Sequence, residues 1–101
     1  MKLAVYLPAL NEAGTIGDLL DAIPRHIPGI TSLDTIVIDD GSTDGTAAVA
    51  SRHGARVIRH PRNLGTGRAF MSGVRAALAG GADIIAIDAD SKDDDSKVVT
   101  R

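Results

Sequence analysis

The chain has no cysteine, which excludes disulfides and thiolate metal sites and fits a reducing compartment. It has no tryptophan, and Tyr6 and Phe70 are its only aromatics, so any core must be aliphatic. It also lacks a basic excess: 11 Lys and Arg stand against 13 Asp and Glu, a formal net charge of −2. Nucleic-acid binders usually carry the opposite imbalance, so no nucleic acid is expected as a partner. Long apolar runs are missing as well. Met1-Lys2 leads into Leu3 to Leu7 before Pro8, too short for a secretory segment or a membrane span. A cytoplasmic location is the expectation, with membrane association left to sequence outside these residues.

What is present is enough for one small domain. The chain has 101 residues, 44% of them hydrophobic, and shows neither an internal repeat nor a linker. Leu3 to Leu7 is a continuous apolar run rich in β-formers, the pattern of a strand buried on both faces. Between Ala13 and Ile23, apolar residues at Ile16, Leu19, Leu20 and Ile23 mark one face of a helix that Pro24 stops. Thr35 to Ile38 is a second buried strand, running into Asp39-Asp40. After the turn Gly41 to Gly45, Ser42 or Thr43 is positioned to cap a helix that reaches His53. Gly54 reads as its C-terminal stop, Arg56 to Ile58 as a third strand, and Gly67 to Ala79 as a helix of small residues. Ile84 to Ile87 is the fourth strand.

This order, βαβαβαβ, predicts an α/β fold: a Rossmann-like, mostly parallel sheet joined by right-handed crossovers. Ligands bind such sheets beyond the carboxyl ends of the strands. Polar clusters stand at those ends: Pro8 to Glu12, Asp39 to Asp44, and Asp88-Ala89-Asp90. Two carboxylates one residue apart can reach one hard cation, and Mg²⁺ or Mn²⁺ takes such oxygens together with those of a diphosphate. A bare Asp-x-Asp is more often a polar strand exit. Of Asp39 and Asp40, only one easily faces a ligand, because consecutive strand residues point to opposite faces. Asn11 could cap the first helix, with Glu12 in its first turn. In Asn63 to Arg68, glycines ahead of a helix let amides approach a phosphate, and Arg68 could neutralise charge. His26, His53 and His60 show no ligand spacing and read as surface residues.

Taken in order, "YLPALNEAGTI", "IVIDDGSTDGT", "NLGTGRAFMSGVRAAL" and "IIAIDAD" resemble the inverting family 2 glycosyltransferases of the GT-A fold. The likeness runs from Leu3 to Asp90 and looks nearest to the polyprenyl-phosphate sugar transferases, with Leu10 where an aromatic is usual. The resemblance implies a donor site for a nucleotide-diphospho-sugar, either a UDP- or a GDP-sugar. Pro8, Leu10 and Glu12 would line the nucleoside pocket, and Asp40, with Asp39 behind it, would contact base or ribose. Arg68 would approach the base or the diphosphate. Asp88 would touch ribose or metal, Ala89 would lie beside the donor, and Asp90 would hold Mn²⁺ or Mg²⁺. The acceptor implied is a lipid phosphate.

Two departures from the family pattern qualify that picture. The usual proline after Asp-x-Asp is absent from Ser91 to Val99, where Lys92 to Lys97 reads as a solvated continuation. No residue takes the role of the general base, which inverting transfer needs to deprotonate the acceptor. Residues 1–101 are thus expected to be a single donor-binding domain, truncated after the Asp-x-Asp strand, with an exposed sheet edge that favours homo-oligomers. The alternatives are a non-catalytic nucleotide-binding fragment and an interaction module with an incidental acidic edge. A receiver domain fits poorly, since its acidic pair would follow the first strand.

Overall fold

The computed structural model describes residues 1–87 and 97–100. Strand β1, Lys2–Ala9, is followed by α1 (Ile16–Asp21), β2 (Ser32–Asp39), α2 (Thr46–Arg52), β3 (Arg56–Arg59), α3 (Thr66–Ala79), β4 (Ile84–Ile87) and β5 (Lys97–Thr100). In space the strands run β3-β2-β1-β4-β5. The first four are mutually parallel, and β5 pairs antiparallel with β4, Ile84 opposite Thr100 and Ile87 opposite Lys97. Connections step outward from β1 to β2 to β3, then cross back so that β4 lands on the free side of β1. That reversal opens a crevice at the carboxyl ends of the central strands.

Alternation along the strands divides the core into two layers. Leu3, Val5, Leu7 and Ala9 of β1 and Val37 of β2 pack with Ile16 and Leu20 of α1 and Ala50 of α2. Ala4, Tyr6, Ile36, Ile38 and Ile85 form the other layer with Ala69, Ala76 and Ala77 of α3. Burying an Ile or Val side chain fully contributes about 1.5–3 kcal/mol, and Ile16, Ile36, Ile38 and Val37 are all essentially inaccessible. The small residues on α3 serve a different end, because they let the helix approach the sheet closely. Gly73 lies directly on the Tyr6 ring, where an added Cβ would come within 2.5 Å of Cδ1. Tyr6 also meets Phe70 edge to face, with ring centroids 6.5 Å apart.

Several boundaries differ from the sequence expectation, each for a local reason. β1 continues through Pro8, which stands opposite Ile38: Ala9 turns its carbonyl to the Asp40 amide on the β2 side, so Pro8, one residue back, takes no part in the bonds to β2. α1 is confined to Ile16–Asp21, since Glu12 to Thr15 form a turn and Ile23, preceding Pro24, is disfavoured in the helical region. Gly54 has φ +89 just past His53, the C-cap of α2, and its amide and that of Ala55 bond back to Ser51 and Ala50, the Schellman arrangement. β5 was not expected. Its β-branched pair Val98-Val99 is too short to stand out, and Lys97, read as part of a solvated stretch, begins it. The exposed edge expected at the fourth strand or its neighbour lies at the neighbour, since β5 covers β4 and is, with β3, an outer strand.

Candidate functional site

A cleft of about 500 Å³ opens at the carboxyl edge of the sheet, lined by Pro8, Ala9, Leu10, Glu12, Asp40, Asn63, Gly65, Thr66 and Ala69. Its walls are the segment after β1, the end of β2, and the loop that enters α3. Pro8, Leu10, Glu12 and Asp40, the residues singled out in the first two polar clusters, are thereby brought together. Asp88, Ala89 and Asp90 lie outside the described residues. Arg68 is exposed on the first turn of α3 and does not line the cleft.

Asp40 holds the cleft's third wall in place. Its Oδ1 accepts from Nδ1 of His60 at 2.8 Å and from the Leu64 amide at 2.9 Å, and its Oδ2 accepts from the Gly65 amide at 3.0 Å. Burial alone would raise the Asp40 pKa. The His60 hydrogen bond and the Leu64 and Gly65 amides outweigh it and hold the group below the usual carboxylate range. The Gly65 amide, which the sequence offered to a phosphate, is therefore spent on Asp40 and on Asn63 Oδ1. Gly41, next to Asp40, has φ +86 and lies against the backbone of Arg62 and Asn63, so this loop seats where only a glycine leaves room.

Asp39 points the other way, as strand alternation required. It is fully buried, and its Oδ1 accepts from the Ser42 amide at 2.9 Å. Among the described residues its Oδ2 has no hydrogen-bond partner, and it faces Nε of Arg59 at 3.6 Å. Arg59 in turn donates to the Ser42 carbonyl at 3.1 Å. Asp39 thus shapes the turn after β2 from beneath and does not line the cleft.

The segment after β1 is stitched down by the segment after β2. Three consecutive amides, those of Asn11, Glu12 and Ala13, donate to Ser42 Oγ (2.8 Å), Thr46 Oγ1 (2.9 Å) and Asp44 Oδ2 (3.2 Å). Asn11 returns the contact: its Oδ1 accepts from the Thr43 amide at 2.8 Å while its backbone holds φ 53. Neither Asn11 nor Ser42 nor Thr43 caps a helix. Gly45 precedes α2, and Asp44 Oδ1 accepts from the Thr46 amide at 2.9 Å and from the Thr46 hydroxyl. The Thr46 side-chain hydrogen bond, aided by the Thr46 and Ala13 amides and outweighing a desolvation cost, lowers the pKa of the exposed Asp44. The outcome is a fixed path for Glu12, which lies half-buried on the cleft wall.

One residue at this site runs against the sequence reading. His60, expected at the surface, is 8% exposed and bonded through both ring nitrogens. His26 and His53 are exposed as expected. Ser42 and Asp44 were likewise read as a simple turn and cap, and Thr46 as part of the helix that follows. Their spacing follows the loop they bind rather than a helix, so only the partner segment reveals their role.

The sequence and the fold recur in other proteins. The model of glycosyl transferase family 2 matches residues 4–99. The chain belongs to this family. An uncharacterized glycosyltransferase of Mycobacterium bovis is 43% identical over 90 residues, which cover 89% of this chain and 37% of that protein. The crystal structure of glucosyl-3-phosphoglycerate synthase from Mycobacterium tuberculosis, with Mn²⁺, UDP and glucosyl-3-phosphoglycerate, aligns with TM-score 0.67 and 34% identity. It covers 87% of this chain and 33% of that one. A mannosyltransferase from Pyrobaculum calidifontis, in complex with GDP-Man and Mn²⁺, aligns with TM-score 0.69 and 25% identity over 86% of this chain and 26% of that one. The family 2 chain therefore has the GT-A fold and spans about a third of the length of these relatives. No helix among the described residues is long and apolar enough to cross a membrane.

Proposed function

We propose that this chain forms the donor-binding part of a glycosyltransferase that takes its sugar from a nucleotide-diphospho-sugar. The observation that carries the reading is the cleft itself. It sits at the carboxyl edge of the central strands, has an apolar floor at Pro8, Ala9 and Leu10, and carries the carboxylates of Glu12 and Asp40. Carboxylates accept hydrogen bonds from nucleobase N–H groups and ribose hydroxyls, and an apolar floor packs against the flat faces of a nucleoside. Leu10, 41% exposed at the mouth, supplies aliphatic rather than aromatic packing and leaves UDP and GDP both admissible. Asp39 acts from behind Asp40, and Arg68 reaches the ligand only by extending from α3.

On the sequence motif, Asp88 and Asp90, with Ala89 between them, would hold Mn²⁺ or Mg²⁺ against the diphosphate. Bound there, the cation would stabilise the charge of the departing nucleotide diphosphate. The described residues provide no other cluster of three His, Asp or Glu side chains for a metal. By motif, no residue of the chain is the general base that activates the acceptor. Transfer is assigned to a larger assembly or polypeptide, and the alternative is a fragment that binds nucleotide sugar without transferring it.

Two acceptor classes follow from different observations. The motifs suggest a lipid phosphate, which would bring the protein to a membrane surface. The 42% identity over 62 residues to glucosyl-3-phosphoglycerate synthase of Mycolicibacterium paratuberculosis favours a small phosphorylated hydroxy acid. Calorimetric titration with UDP, GDP and their sugars, with and without Mn²⁺, tests the donor reading. Saturable binding that Mn²⁺ strengthens, with the metal effect lost in Asp90→Ala, supports it. A folded sample that binds none of these ligands overturns it. Turnover by this chain alone would overturn the assignment of the general base elsewhere, and its product would identify the acceptor class.

A further inference from the structure

Behind Asp40 runs a hydrogen-bond chain that cleft lining alone does not require. Nδ1 of His60 lies 2.8 Å from Asp40 Oδ1, and Nε2 of the same ring lies 2.7 Å from Oγ of Ser72 on α3. The ring is buried, and the Asp40 side chain is only 10% exposed. Because an ionised carboxylate only accepts, Nδ1 must carry the proton that bonds it. A neutral imidazole then has Nε2 unprotonated, and the Ser72 hydroxyl donates to it. Ser72 thus selects the tautomer that Asp40 needs.

The acceptor count on Asp40 gives this chain its consequence. A carboxylate offers about four acceptor sites, two on each oxygen. Oδ1 has both filled, by His60 and by the Leu64 amide, whereas among the described residues Oδ2 takes only the Gly65 amide. Among the described residues, only Oδ2 keeps an unused acceptor site. We propose that His60, held by Ser72, is a positioning residue that fixes the rotation of the Asp40 carboxylate, so that Oδ2 alone receives one donor of the nucleoside. This rests on the reading of the cleft as a nucleotide site. It adds that recognition at Asp40 is a single hydrogen bond set by a residue that never touches the ligand.

Two substitutions separate positioning from support of the fold. In His60→Asn the amide nitrogen stands near Nδ1 and can still donate to Asp40. In His60→Gln the amide lies farther out, toward Ser72, and the Asp40 bond is lost. UDP and GDP, each with Mn²⁺, are titrated into both variants and the parent, in samples with matching circular dichroism. Affinity within about threefold of the parent for His60→Asn and a loss of about tenfold for His60→Gln support the proposal. Equal affinities in the two variants, whether kept or lost, overturn it.

A ligand-free arm keeps this test distinct from that of the nucleotide reading. Imidazole nitrogen shifts should show the neutral His60 ring protonated at Nδ1 and bare at Nε2. The Asp40 carboxyl carbon should titrate higher in His60→Gln and return toward the parent in His60→Asn. An Nε2-protonated ring, or no change at Asp40 in His60→Gln, overturns the positioning role. If the parent binds neither nucleotide, the donor reading fails and the positioning of Asp40 is judged by these spectra.

Discussion

A Cβ placed on Gly41 would lie 2.5 Å from the backbone nitrogen of Asn63, so the turn after β2 and the loop before α3 touch main chain to main chain. Neither partner can yield by rotating a side chain. Gly41 also holds φ +86, a conformation costing an L-residue about 1–2 kcal/mol. Adding an overpacking cost of about 1–3 kcal/mol, Gly41→Ala should lose roughly 3 kcal/mol in urea unfolding. A loss below about 1 kcal/mol would show that the two segments do not meet as described.

Asn11 allows a finer comparison. It combines φ 53 with an Oδ1 that accepts from the Thr43 amide. Asn11→Gly removes the hydrogen bond but relaxes the backbone, whereas Asn11→Ala removes the bond and keeps the strain. The alanine variant should be less stable than the glycine variant by about 1 kcal/mol. The reverse order in denaturant melts would rule out the left-handed backbone at this position.

Tyr6 is the only tyrosine in a chain without tryptophan, so its phenolate absorbance can be followed alone. Burial first, and the Asp40 charge second, push its pKa up to about 12. The unfolded phenol ionises near pH 10, so the fold keeps this contribution below about pH 10 and loses it as pH climbs toward 12. The absorbance transition should centre near 12 or coincide with alkaline unfolding, and Asp40→Asn should shift it downward. A transition near the free value in folded protein would mean that the ring is not buried under α3.

Acid acts through Asp40 with the opposite sign. Its folded pKa lies below the ordinary value despite burial, because of His60 and the two loop amides. Its contribution is complete above roughly pH 4, the unfolded carboxylate value, and drains away as pH falls through the folded pKa. Urea midpoints measured from neutral to acidic pH should fall more steeply in the parent than in Asp40→Asn. Parallel slopes would mean that the Asp40 hydrogen bonds do not stabilise the fold.

Much of the architecture was legible because burial writes itself into a sequence as pattern. The run Leu3 to Leu7 and the aliphatic block Ile84 to Ile87 announce strands covered on both faces, and the order of elements implies the parallel sheet. Asp40 and Glu12 were legible as cleft residues because strand ends locate the ligand edge. What escaped were contacts between loops. Nothing near His60 marks it as buried, since its partners Asp40 and Ser72 stand 20 and 12 residues away. The Ser42, Asp44 and Thr46 side chains mimic a capped turn, and only the approach of Asn11 to Ala13 shows otherwise. β5 was missed because four residues carry too little periodicity to separate a strand from an exposed tail.

The closeness of α3 to the sheet has a mechanical consequence. Gly73, Ala76 and Ala77 act as a shim that sets the height of the helix, while Thr66 and Ala69 at its other end form part of the cleft. Thickening the shim by one methyl group must tilt or lift a rigid rod whose leading turn bounds the cleft. The pocket's width is thus tuned from a distance, and the smallest side chains in the molecule govern a dimension they never line.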